Sequence, residues 1–306
     1  MEQSTRFVLV YRKTRLSELV ERFNTLQQAK FYLEQLGADF GDYQREDSTY
    51  RAELDVVRAV LEAVGRVQLL ERGMLPSYHF NRDDVVIVIG QDGLVANTLK
   101  YLHGNPVIAL NPDQQRWDGV LLPFLPSDLP LILGDVLANR REYKAITLAE
   151  AVTNDGQRML AVNDVFIGPK SHTSARYAIN WGDQREVQSS SGVIVSTGLG
   201  STGWFQSLLA MARGVSGHLE SAYEGQGFAW DAPTLMYTVR EPFPSQQTGT
   251  SLVTGQVDAT RGLRIESMMP ENGVIFSDGI EGDFLDFNSG CTVDIRIAEV
   301  QGKLVV

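Results

Sequence analysis

The chain holds a single cysteine, Cys291, and only four histidines, scattered at His79, His103, His172 and His218. That scarcity excludes a disulfide framework and a structural Cys/His zinc site. No apolar run approaches the ~20 residues of a membrane span. The opening MEQSTRFVLVYRK sets Glu2 ahead of a very short apolar stretch, which is wrong for a secretory signal. Positive charge is in deficit as well: 27 Lys and Arg stand against 38 Asp and Glu, a formal net charge of −11. A surface that acidic argues against nucleic acid or an anionic membrane as a partner. Internal repeats and low-complexity tracts are missing. These absences leave a soluble protein of a reducing cytoplasm as the expectation. A chain of 306 residues buries enough surface to fold without covalent or metal staples.

What is present divides in two. Up to about residue 125, strand and helix signals alternate. Phe7–Tyr11 is a short apolar strand former, and Thr25-Leu-Gln-Gln28 reads as a capping box opening a helix that Gly37 closes. Leu54, Val57, Val60, Leu61, Val64 and Val67 recur at helical spacing across Arg51–Leu70. Val85–Ile89 is a continuous β-branched run, as expected of a central strand covered on both faces. A helix over Leu94–Leu102 and a second such run, Pro106–Leu110, complete a βαβ unit. Pro123, Pro126 and Pro130 mark a boundary with extended chain. Beyond them short strands dominate, among them a hairpin of Ala175–Trp181 and Gln184–Gln188 turning at Gly182-Asp183. The spacing predicts an α/β Rossmann-like parallel-sheet domain over 1–125 and a β-sandwich domain over 126–306, whose last segment returns to the first or stays with the second.

Three segments carry candidate chemistry. Ile89-Gly-Gln-Asp-Gly93 lies between a buried strand and a helix, where backbone N–H groups and the helix dipole favour phosphate. Asp92 there reads either as a helix N-cap or as a group that takes a proton or serves Mg²⁺. Gly192–Trp204 contains Gly198-x-Gly200-x-x-Gly203, formally a dinucleotide fingerprint. The continuation Gly214–Gly225 is not a buried strand ending in an acid, so the dehydrogenase reading is rejected. A tight capped turn and a polar-ligand turn both stay open. Ala161–Gly168 sets Asn163 and Asp164 inside an apolar strand-like run, so one of the two faces inward and needs a partner, from a ligand or from backbone.

In order, the G-x-D-G turn, the Asn-Asp pair and the Gly200-Ser-Thr-Gly-Trp204 turn, with Phe276-Ser-Asp-Gly279 after them, resemble the NAD kinase family. Asn111-Pro-Asp113, Ser190-Ser-Gly192 and Arg240-Glu-Pro242 make the mitochondrial-type branch the nearest likeness. The resemblance covers about residues 85 to 297. It implies a two-domain fold with the substrate site in the cleft between the domains, and transfer of a phosphoryl group from ATP, with Mg²⁺, to the adenosine 2′-hydroxyl of NAD or NADH. It implies Asp92 as the base, Gly90 and Gly93 against phosphate, and Asn163, Asp164, Ser201, Thr202, Gly203, Trp204 and Asp278 around the dinucleotide. It gives no protein ligand for a metal, and it implies a homodimer or homotetramer. Gln91 stands where the family usually has a second glycine, and Leu94 where it commonly has threonine. A left-handed backbone at Gln91 would cost roughly 1–2 kcal/mol. A kinase of a lipid or sugar hydroxyl, and a non-catalytic nucleotide-binding protein, are the competing readings.

Overall fold

The computed structural model describes residues 5–216 and 227–306, which form two compact units: residues up to Lys144 with Lys303–Val306, and Ala145–Gly302. Unit 1 runs β1 (Arg6–Tyr11), α1 (Arg15–Phe23), α2 (Leu26–Gln35), α3 (Phe40–Glu62), β2 (Arg66–Glu71), β3 (Val85–Ile89), α4 (Asp92–Leu99), β4 (Pro106–Leu110) and α5 (Leu129–Leu137). Its strands pair in parallel in the order β2-β1-β3-β4. Leu304 and Lys303, at the end of the chain, pair in parallel with Val107 and Pro106. The middle residues of β1, β3 and β4 are buried, as expected of strands covered on both faces.

Several boundaries differ from the sequence expectation, each for a physical reason. The helix expected over Arg51–Leu70 is α3, which starts earlier and stops at Glu62, so Val67 and Leu70 belong to β2. Gly65 makes the break, because a Cβ there would meet the Thr5 carbonyl at 2.6 Å as the chain turns to run beside β1. Pro126 and Pro130 do not lie in extended chain. Pro126 begins a 3₁₀ turn and Pro130 lies in the first turn of α5, where a missing N–H costs nothing. Leu129, Ile132, Leu133 and Val136 of α5 pack on the same core as Phe7, Ile87 and Ile108, so unit 1 extends past the expected 125/126 boundary to Lys144.

The second unit is built of most of β5 (Tyr143–Thr153), β6 (Arg158–Ala161), β7 (Asp164–Pro169), β8 (Ala175–Trp181), β9 (Gln184–Ser190), β10 (Val193–Ser196), α6 (Trp204–Ser216), β11 (Leu235–Val239), β12 (Thr254–Val257), β13 (Leu263–Ser267), β14 (Gly273–Ser277), β15 (Phe284–Asp286) and most of β16 (Thr292–Val305). One of its sheets is antiparallel in the order β12-β11-β10-β7-β14-β15. Facing it, β16, β13, β8 and β9 pair antiparallel. Side chains from both sheets, Val165, Ile167, Val195 and Tyr237 from one and Tyr177, Ile179, Ile265 and Val293 from the other, share one core. This is the expected sandwich. The Ala175–Ser190 hairpin turns at Gly182, whose φ of 58° suits glycine.

Tyr50 of α3 ties together the carboxyl ends of the two central strands of unit 1. Its buried hydroxyl donates to the Ile89 carbonyl at 2.9 Å and accepts from the Arg12 N–H at 3.0 Å. Burial pushes that hydroxyl up to about 12. Tyr50→Phe strands both backbone groups and is expected to lower the unfolding free energy by about 1–3 kcal/mol. Urea titration of the two proteins checks this, and an unchanged midpoint refutes it.

Candidate functional site

Between β6 and β7 the chain bends. Val162 and Asn163 lie outside both ladders, and only from Asp164 does the strand resume. The bend leaves backbone donors to be satisfied. Asp278 meets them: its carboxylate accepts from Asn163 N–H at 2.6 Å, Val162 N–H at 3.0 Å and Asp164 N–H at 3.4 Å. Asp278 holds a left-handed backbone (φ 54°), and its own N–H donates to the Asp164 carbonyl at 3.0 Å. From the other side, Thr197 donates its hydroxyl to the Val162 carbonyl at 2.5 Å and its N–H to the Asn163 carbonyl at 2.9 Å.

The glycines of the next turn now have separate reasons. A Cβ on Gly198 would collide with the Ala229 carbonyl, and one on Gly200 with the Asn163 carbonyl. Backbone packed on backbone therefore demands both. Gly203 faces only the Gly200 oxygen, at 3.4 Å. The formal dinucleotide fingerprint is thus a packing signature. Its preceding strand, β10, has antiparallel neighbours on both sides and is no part of a βαβ crossover. Helix α6 follows to Ser216, and the rest of the Gly214–Gly225 stretch, with His218, lies outside the described residues. At its start the Trp204 indole stacks on Phe166 (5.7 Å, 12°), Phe166 stacks on Phe276 (4.8 Å), and the Arg240 guanidinium lies 5.4 Å from the indole centroid.

These pieces line a cavity of about 370 Å³: Asn163, Asp164, Leu199, Gly200, Thr202, Gly203, Trp204, Asp278 and Gly279. Of the residues singled out from sequence in this half, it gathers all but Ser201. That side chain is buried, its hydroxyl donating to the Gly198 carbonyl at 2.6 Å and accepting from Phe228 N–H at 3.0 Å, so it pins the turn. Leu199 and Gly279 were not singled out, although each adjoins a residue that was. Of the Asn163-Asp164 pair, Asp164 is the buried member, at 6% exposure, and Asn163 is half-buried. Burial, with the Asp278 charge adding to it, pushes the Asp164 carboxyl up to about 7. Near neutrality it is therefore able either to donate a hydrogen bond or to accept one.

The G-x-D-G turn belongs to unit 1. Gln91 is extended (φ −123°, ψ 165°), so the strain considered for a left-handed residue does not arise. Gly90 packs under Leu94, whose Cδ2 a Cβ would meet at 2.9 Å, and Gly93 faces open space. Asp92 opens α4 and is half-buried. Its Oδ1 accepts from Leu121 N–H at 2.6 Å, and no other hydrogen bond reaches it among the described residues. It is therefore not the N-cap of its own helix, since the bond it makes is to the loop after β4.

Comparison with solved structures sets this architecture beside a yeast NADH kinase complexed with NADH. The TM-score is 0.64 at 15% identity, over 100% of this chain and 84% of that one. An NAD kinase from Archaeoglobus fulgidus in complex with ATP matches at a TM-score of 0.55 and 15% identity, over 99% of this chain and 94% of that one. The chain has the NAD kinase fold. No family model matches the sequence, and no curated protein does. Within the NAD kinase fold, the α/β unit carries Gly90, Asp92 and Gly93, and the sandwich unit carries the cavity. No helix is long and apolar enough to cross a membrane among the described residues.

Two outcomes follow. Gly200→Ala is expected to cost about 3 kcal/mol or more, whereas Gly214→Ala, in open space on helix α6, is expected to cost nothing. Equal melting temperatures for the two variants contradict the packing account. The second outcome concerns Asp164. A carboxyl that is raised in the folded state holds its proton more tightly there than in the unfolded chain. Its burial is therefore tolerated below the ordinary value of ~4 and costs progressively more as pH rises to about 7. The melting temperature of Asp164→Asn minus that of wild type should rise across that window, then level off. A difference flat with pH removes the buried-carboxyl account.

Proposed function

We propose that the protein is a kinase that transfers the γ-phosphate of ATP to the adenosine 2′-hydroxyl of NAD or NADH. The observation that carries this reading is the cavity in unit 2. There Asn163, Asp164, Thr202, Gly203, Trp204 and Asp278, named from the family's motifs, line one 370 Å³ space in a chain with that family's fold. Asp164, able to donate or accept, and half-buried Asn163 suit the hydroxyl and amide groups of a dinucleotide. Trp204, packed on Phe166, offers an aromatic edge.

Asp92 is the base in this reading. A 2′-hydroxyl attacks poorly until its proton is accepted. The proton passes to the Asp92 carboxylate, the oxygen bonds to the γ-phosphorus, the bond to the β-phosphate oxygen breaks, and ADP leaves with that electron pair. The Leu121 amide fixes one carboxylate oxygen and leaves the other free to accept. Magnesium enters with the donor as Mg–ATP. Among the described residues no group of three or more His, Cys, Asp or Glu side chains is gathered for a metal. A magnesium ion brought by ATP would be held mainly by phosphates and waters, with one or two carboxylates. A homodimer or homotetramer in the cytoplasm, and kinship with the mitochondrial-type branch, are parts of the same reading.

Purified protein incubated with Mg–ATP and NAD, NADH, or a lipid and sugar panel tests the assignment by chromatography of products. A 2′-phosphorylated dinucleotide is expected. A phosphorylated lipid or sugar alone, or binding with no product, replaces the assignment with one of its competitors. Asp92→Asn should lower turnover by about 10²–10⁴-fold and leave NAD affinity within a few fold. Retention of half the activity rules out the role.

A further inference from the structure

Helices α1 and α2 are not needed for the crossover from β1 to β2. A parallel pair requires a connection of a dozen or more residues, and α3 alone, 23 residues long, supplies one. Tyr50, Val57 and Leu61 of α3 belong to the core that holds Phe7, Leu9 and Ile87 of the sheet. Helices α1 and α2 bury only Leu16, Ala29 and Leu33, and among the described residues they add nothing to that core. What they add is a surface. Gln27, Phe31 and Gln35 follow one another at spacings of four along one side of α2. Phe31 projects from it, 63% exposed, beside a groove of about 820 Å³. The Phe23 and Tyr32 rings, packed 4.6 Å apart, line that groove. We propose that this face pairs with the same face of a second copy of the chain, the Phe31 ring of each entering the groove of the other. The proposal names a surface for the homo-oligomer of the reading above, on which it rests, and is independent of the kinase reaction.

A two-fold contact sets a surface against itself, so the surface must complement itself in shape and in charge. A protruding ring next to a ring-lined groove meets the first condition. The second is harder for a chain of net charge −11, whose copies repel one another. Self-contact is least opposed where acids are missing, and among the described residues no Asp or Glu lines this groove. Its polar side chains are mostly amides, Gln27, Gln28 and Gln35 among them. An amide carries donor and acceptor together and can pair with a copy of itself, as a carboxylate facing a carboxylate cannot. Arg22, in the same wall, lies 5.2 Å from the Phe23 ring centroid and 5.8 Å from that of Tyr32. Aromatic rings and arginine are the residues that interface centres keep, while acids are depleted there. The flanking charges are matched within the chain, Glu21 by Lys13 at 2.7 Å and Glu34 by Lys30 at 3.7 Å. A different partner recognised by its charge would find little here to recognise. The helices are each about 15 Å long, so the paired faces stay below the ~1,600 Å² of a standard interface. The contact is therefore a weak one that depends on its central ring.

The test compares full-length wild type, Phe31→Glu and Phe31→Lys by sedimentation velocity over a concentration series. Either charge is costly inside an apolar groove, so both variants should weaken one association step about tenfold or more. Net charge acting alone would move the two variants in opposite directions, and that outcome overturns the site. A second measurement places benzoylphenylalanine at position 31, mixes that protein with isotope-labelled wild type and irradiates the mixture. Mixed-isotope adducts on residues 22–35 of the other copy are expected. Adducts that map elsewhere, or equal association of the three proteins, overturn this surface and leave the oligomer standing. A wild type that is monomeric at every concentration gives the face to a different partner and overturns surface and oligomer together. Phosphorylation of NAD is decided separately by the product assay, whichever of these is found.

Discussion

One carboxylate gathers the backbone of three consecutive residues. A chain that leaves one strand at Ala161 and starts the next at Asp164 must bury N–H groups that no ladder satisfies, and each unpaired group costs about 1–3 kcal/mol. Asp278 accepts from all three of them, Val162, Asn163 and Asp164, as a charged acceptor, the stronger kind. The turn that lines one side of the cavity is positioned by that capture. The Val162 and Asn163 carbonyls turn toward Thr197, the Asn163 carbonyl sets how closely Gly200 approaches, and Gly200 fixes where α6 begins. The same capture sets a second carboxyl beside the first. Asp278 has backbone donors to hold its charge, whereas Asp164 has mainly burial. Of two neighbouring acids, the one without donors keeps the proton.

In unit 1 the constraint is different. Parallel strands place their loops of interest at one end, and the reversal of winding between β1 and β3 opens a crevice there whatever the sequence. What the sequence adds is rigidity. Tyr50 bonds to the last residue of β3 and the first residue after β1, and so sets the rim of the crevice from beneath. Arg12 spans Tyr50 and Trp117 above it. Phosphoryl transfer asks little covalent work of a protein and much positioning, since a misplacement of ~1 Å costs about 10²-fold in rate. In the proposed kinase reading, a rim fixed by buried hydrogen bonds and stacked guanidiniums answers that demand better than a loop would.

How far the sequence carried is itself explained by range. Strand runs such as Val85–Ile89 and Pro106–Leu110, the Thr25 cap and the Gly182 hairpin are local signals, and they stand where they were expected. The break at Gly65 was missed because its cause, the Thr5 carbonyl, is far away in the chain. The prolines were read as a boundary in extended chain because a proline that starts a helix and one that ends an element look alike without the partner core. Ser201 was read as a ligand group for the same reason, since nothing nearby in the chain reveals that its hydroxyl oxygen accepts from Phe228 N–H.

Gln91 shows how one departure from a motif is decided by geometry. Glycine is irreplaceable where φ is positive or where a Cβ would strike backbone, and Gly200 is a case of the second kind. Gln91 meets neither condition, because its φ of −123° is open to any residue and its side chain projects into a polar pocket. The substitution is then a change in what the pocket offers, an amide donor in place of open space, while the backbone path from β3 to Asp92 needs no adjustment. The residue that looked from sequence like damage to the turn is better understood as part of the wall that turn presents.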